Sequence, residues 1–401
     1  MSITTRTQAT FPPPVMEARR WIKGVSFTAE RPLINVSQAA PVEPPPALLR
    51  AEMARLVQDE PQAHLYGPVL GLPELRDRIS KQWSTSYEAN ITSEHVAITA
   101  GCNQAFAAAI ASLTDQDDEV LIPVPWYFNH KMCIDITGVK AVPLPCTVGM
   151  LPDLEHAARL ITPRTKAITL VSPNNPAGVE YPARLIAEFY DLAKRHAIAL
   201  IIDETYRDFD SRAGAPHRLF QDPDWAETVV HLYSFSKAYR LTGHRVGALI
   251  SSPTRLGEVE KYLDTVSICP PQLGQYAALW GMEHLQSWLA SERLEILDRR
   301  AAIVDGFPAL KNAGWQLLGL GAYFAYLQHP FALPSDQLAQ RLVSEAGVLV
   351  LPGTMFNPAD DVSGRAQLRI AFANINRAKV EKLFLRLQEV RLPLAQTIRD
   401  A

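Results

Sequence analysis

At 401 residues, with 47% hydrophobic and 20% charged side chains, the chain is long enough for more than one core and has the composition of a folded globular protein. A net charge of -3 carries no footprint of a nucleic-acid binder, which would need a basic stripe. The opening MSITTRTQATFPPPVMEARRW has no apolar h-region, and runs such as 197–202 (AIALII) are far too short to span a bilayer. The expectation is therefore no signal peptide, no membrane span and a cytoplasmic location. Cys102, Cys133, Cys146 and Cys269 lie far apart without CxxC spacing and read as reduced thiols.

Residues 1–45 are Pro-rich, end in PVEPPP, and read as irregular. Apolar spacing then predicts helices over 47–58 and 72–83. Strands are expected at 95–99, 119–123, 140–144, 166–172, 197–202, 228–233 and 246–251, with helices at 103–113, 153–160 and 183–196 between several of them. Near-continuous apolar strands alternating with helices argue an α/β fold with a mostly parallel central sheet flanked by helices. The closely spaced last pair leaves room for one antiparallel member. Beyond about residue 280 a long helical region (282–312), the segment 316–328, a helix near 335–346, a strand at 347–351, another at 366–372 and a terminal helix read as a smaller α+β domain. The expected division is a large domain over 46–284, with 1–45 and 285–401 forming the small one.

Chemistry is concentrated where these strands end. Asp203, in IIDETY, closes an apolar strand, and ligands of open α/β sheets bind outside the carboxyl ends of strands. Taken alone it reads equally well as a helix cap or a salt-bridged carboxylate; a functional role needs a cationic partner such as a protonated ring nitrogen. After TVVHLY comes Ser234-Phe235-Ser236-Lys237, then Gly243-His244-Arg245-Val246-Gly247. Most lysines are solvated surface groups. One buried at a strand end has a lowered pKa and becomes a nucleophilic amine, and Arg245 offers a planar fork for a phosphate.

Gly101, Cys102 and Asn103 join a strand to a helix and offer backbone N–H groups to an anion, although many strand-to-helix turns look the same. Ser172–Gly178 (SPNNPAG) is an ordinary Asn/Pro/Gly turn by composition, and the aromatics of PVPWY at 123–127 could be core. Each of these features follows a different strand, and one pocket at one sheet edge accounts for all of them.

Together with Tyr66 and Gly71, the motifs TAGCNQA, PVPWY, SPNNPAG, DETY, SFSKAYRLTGHRVG and LRIAF resemble those of the fold-type I, class I/II pyridoxal-phosphate (PLP) aminotransferases, the aspartate aminotransferase superfamily. The match runs from about residue 30 to 385. The resemblance implies a large PLP-binding domain with Lys237 forming the internal aldimine and shuttling a proton. Asp203 would pair with the ring nitrogen, while Asn175 and Tyr206 would hydrogen-bond the phenolic oxygen. Tyr127 would stack on the ring in preference to Trp126. The phosphate would be held by Gly101, the Cys102 and Asn103 amides, Ser234, Ser236 and Arg245, with Tyr66 reaching it from the neighbouring subunit of a homodimer. Arg369, with Asn175, would clamp the substrate carboxylate.

Two departures stand out. Ala39, in SQAAP, replaces a glycine whose backbone meets the substrate, and Ala177 replaces the threonine of NNPTG. The stretch 265–275 (TVSICPPQLGQ) holds no arginine for a side-chain carboxylate, so such an arginine would have to come from elsewhere.

The implied reaction is transfer of an amino group from an amino acid to a 2-oxo acid. A C–S β-lyase or decarboxylase on the same scaffold is the alternative, since pocket shape selects the bond that breaks. A PLP-sensing regulator would carry a basic helix-turn-helix ahead of the fold, where only about 45 residues that read as irregular precede the first clear helix, and a nicotinamide enzyme would carry GxGxxG after a strand, which is not found. The histidines show no metal-ligand spacing, and no metal is expected. Val15 and Trp21 are candidates to cover an uncharged substrate side chain.

Overall fold

Strands that are apolar at successive positions need cover on both faces. Seven of them join edge to edge in the order Val96–Thr99, Gly247–Ile250, Val229–Ser234, Ala199–Asp203, Thr165–Val171, Glu119–Val124 and Lys140–Pro145. The computed structural model describes residues 4–395. All seven expected strands form, each within two residues of its predicted ends. Gly247–Ile250 alone runs against its neighbours, pairing antiparallel with both Val96–Thr99 and Val229–Ser234. The segment before it is taken up by the Lys237 turn, which leaves no crossover helix, so the strand returns antiparallel.

Alternate residues of each strand serve different cores. Ile168, Leu170, Leu200 and Ile202 join Leu75, Trp83, Phe189 and Ala277 on one face. Ala167, Ala199, Ile201 and Val230 join Phe106, Ile110, Leu256 and Val259 on the other. A helix at Phe128–Thr137 and another at Pro253–Ser267 were not expected from the sequence.

A second core surrounds a four-stranded antiparallel sheet ordered Leu351–Pro352, Gln367–Ala371, Phe324–Gln328 and Gln316–Gly321. The expected strand at 347–351 divides. Val348–Leu349 pairs in parallel with Ile34–Asn35, while Leu351–Pro352 pairs with Gln367–Ala371. The N-terminal segment is thereby hydrogen-bonded to the C-terminal part of the chain. The long helical region is two helices, Gln272–His284 and Gln286–Asn312, meeting at Leu285.

The N-terminal segment is not wholly irregular, which corrects the reading of its prolines as breakers. Pro14 is the first residue of a helix, Pro14–Trp21, where a missing N–H does no harm. Ala18, Val15 and Trp21 of this helix pack with Phe128, Leu349 and Phe356. Val15 and Trp21 do not line the cavity described below. No described helix is long and apolar enough to cross a membrane.

Candidate active site

Parallel strands place their carboxyl ends at one edge, so Thr99, Val124, Val171, Asp203 and Ser234 end side by side. A cavity of about 230 Å³ lies there, and its walls include Cys102, Tyr127, Asn175, Asp203, Lys237 and Arg245. Motifs separated by more than a hundred residues of sequence meet because each follows a strand of the same sheet.

Lys237 sits on the short helix Phe235–Ala238, directly after Val229–Ser234. Ser234 caps that helix by accepting from the Ser236 N–H at 3.2 Å. The Lys237 amine is 5.9 Å from the centre of the Tyr206 ring. Burial lowers its pKa to about 8, helped by the positive charges of Arg245 and Arg369. A free amine is thus accessible near neutrality.

Asp203 is 3% exposed. Burial alone would raise its pKa, yet hydrogen bonds from His130 and Thr205 hold it below the ordinary value. His130 Nε2 lies 3.2 Å from Oδ2, and the Thr205 N–H donates to Oδ1 at 2.9 Å. An anion kept charged in a buried wall is a site for a cation.

The remaining wall favours an anion. Gly101 has φ +86, and a Cβ there would lie 2.2 Å from Arg245 Nη2, so only glycine lets the guanidinium close on the start of the Cys102–Leu113 helix. Arg245 also donates to the Thr242 carbonyl at 2.9 Å and toward the Ser236 hydroxyl at 3.4 Å. Burial pushes the Cys102 thiol well above its usual range, which keeps the sulfur protonated. Asn103 is exposed at the helix start, and its Oδ1 accepts from the Tyr127 hydroxyl at 3.5 Å. Burial likewise raises the pKa of Tyr206, leaving its hydroxyl a donor.

Arg369 is 2% exposed, on the strand Gln367–Ala371. Its Nη1 donates to Asn175 Oδ1 at 3.0 Å, Nη2 donates to the Ser37 carbonyl, and Nε has no partner among the described residues. Burial lowers its pKa to about 10, still charged at neutrality. The turn that carries Asn175 docks on the Gln316–Gln328 hairpin through Gly178, where a Cβ would lie 2.4 Å from the Phe324 carbonyl. Ala177 is buried in the same turn.

Gly101 and Arg369 do not themselves line the cavity but touch residues that do, Arg245 and Asn175, and three further sequence-derived positions fall elsewhere. Tyr66 is 78% exposed and does not line the cavity. Ala39 faces the second core, while its neighbours Gln38 and Ala40 form the wall. Trp126 is buried beneath the sheet edge and leaves Tyr127 as the aromatic on the cavity. The sequence reading passed over His130, Thr205, Gln38 and Thr242. His130 had a readable signal, lying three residues and so about one helical turn beyond Tyr127.

The cavity thus brings together a buried low-pKa amine, an ionised carboxylate and an arginine at a helix start. The model of the family "Aminotransferase class I and II" matches residues 32–387. The aromatic aminotransferase ISS1 of Arabidopsis thaliana is 30% identical over 361 residues, 86% of each chain. The glutamate-pyruvate aminotransferase AlaC of Escherichia coli is 28% identical over 367 residues, 89% of this chain and 87% of that one. The solved structure of Thermus thermophilus aspartate aminotransferase with maleate shares the fold, with a TM-score of 0.86 at 24% identity over 97% of this chain and 99% of that one.

The chain belongs to the class I and II aminotransferases and is a transaminase. That family is PLP-dependent and acts on amino acids and 2-oxo acids. Lyase or decarboxylase chemistry is not favoured by these relatives, which are named for transamination.

Proposed function

We propose that Lys237 carries pyridoxal 5′-phosphate and that the enzyme moves an amino group from an amino acid to a 2-oxo acid in this cavity. The observation that carries the reading is the pairing, in one cavity, of an amine with a pKa of about 8 and a buried carboxylate kept ionised. Bound there, the cofactor supplies an electron sink for the substrate's Cα. Asp203 holds the proton of the ring nitrogen, and Tyr206 and Asn175 face the phenolic oxygen. Tyr127 covers the ring. Ser234, Ser236, Arg245 and the Gly101–Asn103 turn take the phosphate. Arg369 grips the substrate carboxylate in a two-pronged contact. The Lys237 amine then moves the Cα proton.

We also infer a homodimer in which Tyr66 would reach a partner's phosphate site; the exposure of Leu65 and Tyr66, 56% and 78%, supports it. A division into 46–284 and 1–45 with 285–401 is supported by the separate cores around the two sheets. A cytoplasmic location is supported by the four free cysteines.

The experiment is the visible spectrum of the purified enzyme, before and after amino acids are added without an acceptor. A cofactor band that one donor converts to the pyridoxamine form is expected, and Lys237→Ala abolishes both the borohydride-trappable lysine adduct and turnover. Full activity in Lys237→Ala, or release of pyruvate and ammonia in place of half-transamination, overturns the reading.

A further inference from the structure

The strap that carries Gln38 is pinned at its backbone on several sides. The Ala371 N–H donates to the Val36 carbonyl at 2.8 Å, and Arg369 donates to the Ser37 carbonyl. Asn374 Nδ2 donates to the carbonyls of Gln38 at 3.0 Å and Ala40 at 2.7 Å, while its Oδ1 accepts from the Val42 N–H at 3.2 Å. The Gln38 side chain therefore leaves a fixed point. That point is one residue, about 3.8 Å along the backbone, from the residue that Arg369 holds.

The carboxamide is oriented as well as placed. Arg19, on the helix Pro14–Trp21, donates from Nη2 to Gln38 Oε1 at 2.6 Å. A guanidinium has donors only, so the carboxamide oxygen must face Arg19. Its NH₂ is not engaged by Arg19, and Gln38 is one of the residues that line the cavity. The cations on that wall, Lys237 and Arg245, are assigned to the cofactor. The Gln38 amide is then an uncommitted donor next to the carboxylate clamp.

We propose that Gln38 is a specificity-determining residue: its Nε2 donates to an acceptor oxygen at the end of the substrate side chain. The preferred amino donor ends in a carboxylate or a carboxamide rather than in a hydrocarbon. This rests on the transaminase reading of the cavity. It also assigns Arg19 the role of a positioning residue, which fixes the direction in which the carboxamide points.

Three unreactive ligands of matched length separate the possibilities: glutarate, its monoamide glutaramate, and pentanoate. All share the carboxylate that Arg369 would hold and differ at the far end. Titration calorimetry with the PLP-loaded enzyme is expected to show glutarate and glutaramate binding about tenfold tighter than pentanoate. Gln38→Glu keeps an acceptor for Arg19 but presents no donor to the cavity, and it is expected to erase that preference. Arg19→Met releases the carboxamide without removing it, and it narrows the preference. The cofactor band of each variant reports that the site is intact. Equal binding of all three ligands by the unmodified enzyme overturns the proposal alone. So does an unchanged preference in Gln38→Glu or, should that variant not fold, in Arg19→Met. Failure of all three ligands to bind overturns the carboxylate role of Arg369, and the proposal falls with it.

Discussion

His130 Nε2 lies 3.2 Å from the Asp203 carboxylate, and the imidazole is held in that position by stacking on Phe106, with ring centres 3.9 Å apart and planes at 15°. The imidazole has burial on one side and the edge of Tyr127 at 4.9 Å on another. It is a positioning residue for the carboxylate proposed to meet the cofactor ring.

Replacing His130 by Phe removes that hydrogen bond and leaves burial opposed only by Thr205. The Asp203 pKa then rises, because burial is the largest influence on it and acts upward. The acid limb of the kcat/KM profile is expected to move to higher pH, with activity near the plateau less affected than activity in acid. A uniform loss at every pH would show a packing role instead.

Capture of PLP by the apoenzyme is expected to accelerate as pH rises toward about 8 and to level off above it, because only the free Lys237 amine is a nucleophile. Burial is the main cause of the lowered value, and the charges of Arg245 and Arg369 add to it. Arg369→Met removes one of those charges, so its midpoint should lie higher than that of the unmodified enzyme. The growth of the visible band over a pH series measures both.

Gly101→Ala puts a methyl where Arg245 Nη2 now sits, at a backbone φ of +86 that disfavours any side chain. Backbone strain of about 1–3 kcal/mol at this essentially glycine-only conformation adds to displacement of the guanidinium. Affinity for PLP is expected to fall by about tenfold or more, read from equilibrium dialysis, with the far-ultraviolet dichroism unchanged. Native affinity in this variant would remove Arg245 from the phosphate site.

Glu204 points away from the cavity into a buried polar cluster. It accepts from His231 Nε2 at 2.9 Å and from the Tyr87 hydroxyl, beside Arg207, whose guanidinium lies 4.3 Å from the centre of the Trp83 ring. Burial opposes ionisation, but His217 and His231 hold the carboxyl well below its usual range. Glu204→Ala leaves His231 Nε2 and the Tyr87 hydroxyl buried without their acceptor and should lower stability by about 1–3 kcal/mol near pH 7. A depressed folded pKa stabilises above the unfolded value, about 4.3, and that contribution is lost as pH falls through the folded one. Denaturant unfolding should therefore show the gap between the two proteins narrowing in acid.

The alternation of strands and helices and the strand ends that carry Asp203, Lys237 and Asn175 were legible in the sequence, and the close spacing of the last two strands left room for an antiparallel one. Each depends on local pattern: apolar runs, a carboxylate closing a strand, a lysine in a hydroxyl-rich turn. The helix at Pro14–Trp21 was hidden because its prolines read as breakers, although at a first helical position a proline is harmless. The strand at 347–351 appeared single because a run of apolar residues does not show that its two ends join different sheets.

The sequence by itself determined the family of chemistry, since the amine, the carboxylate and the arginines are covalent facts and their order relative to the strands fixes the edge at which they meet. Tertiary structure alone decided the electrostatics and the substrate wall. That Asp203 stays charged depends on His130, 73 positions away in the chain (203 − 130), reaching it across the sheet edge. Which way Gln38 points depends on an arginine from a helix that is brought alongside only when the N-terminal segment folds against Phe128, Leu349 and Phe356. Charge state and side-chain direction are set by neighbours in space, and a linear pattern records only neighbours in sequence.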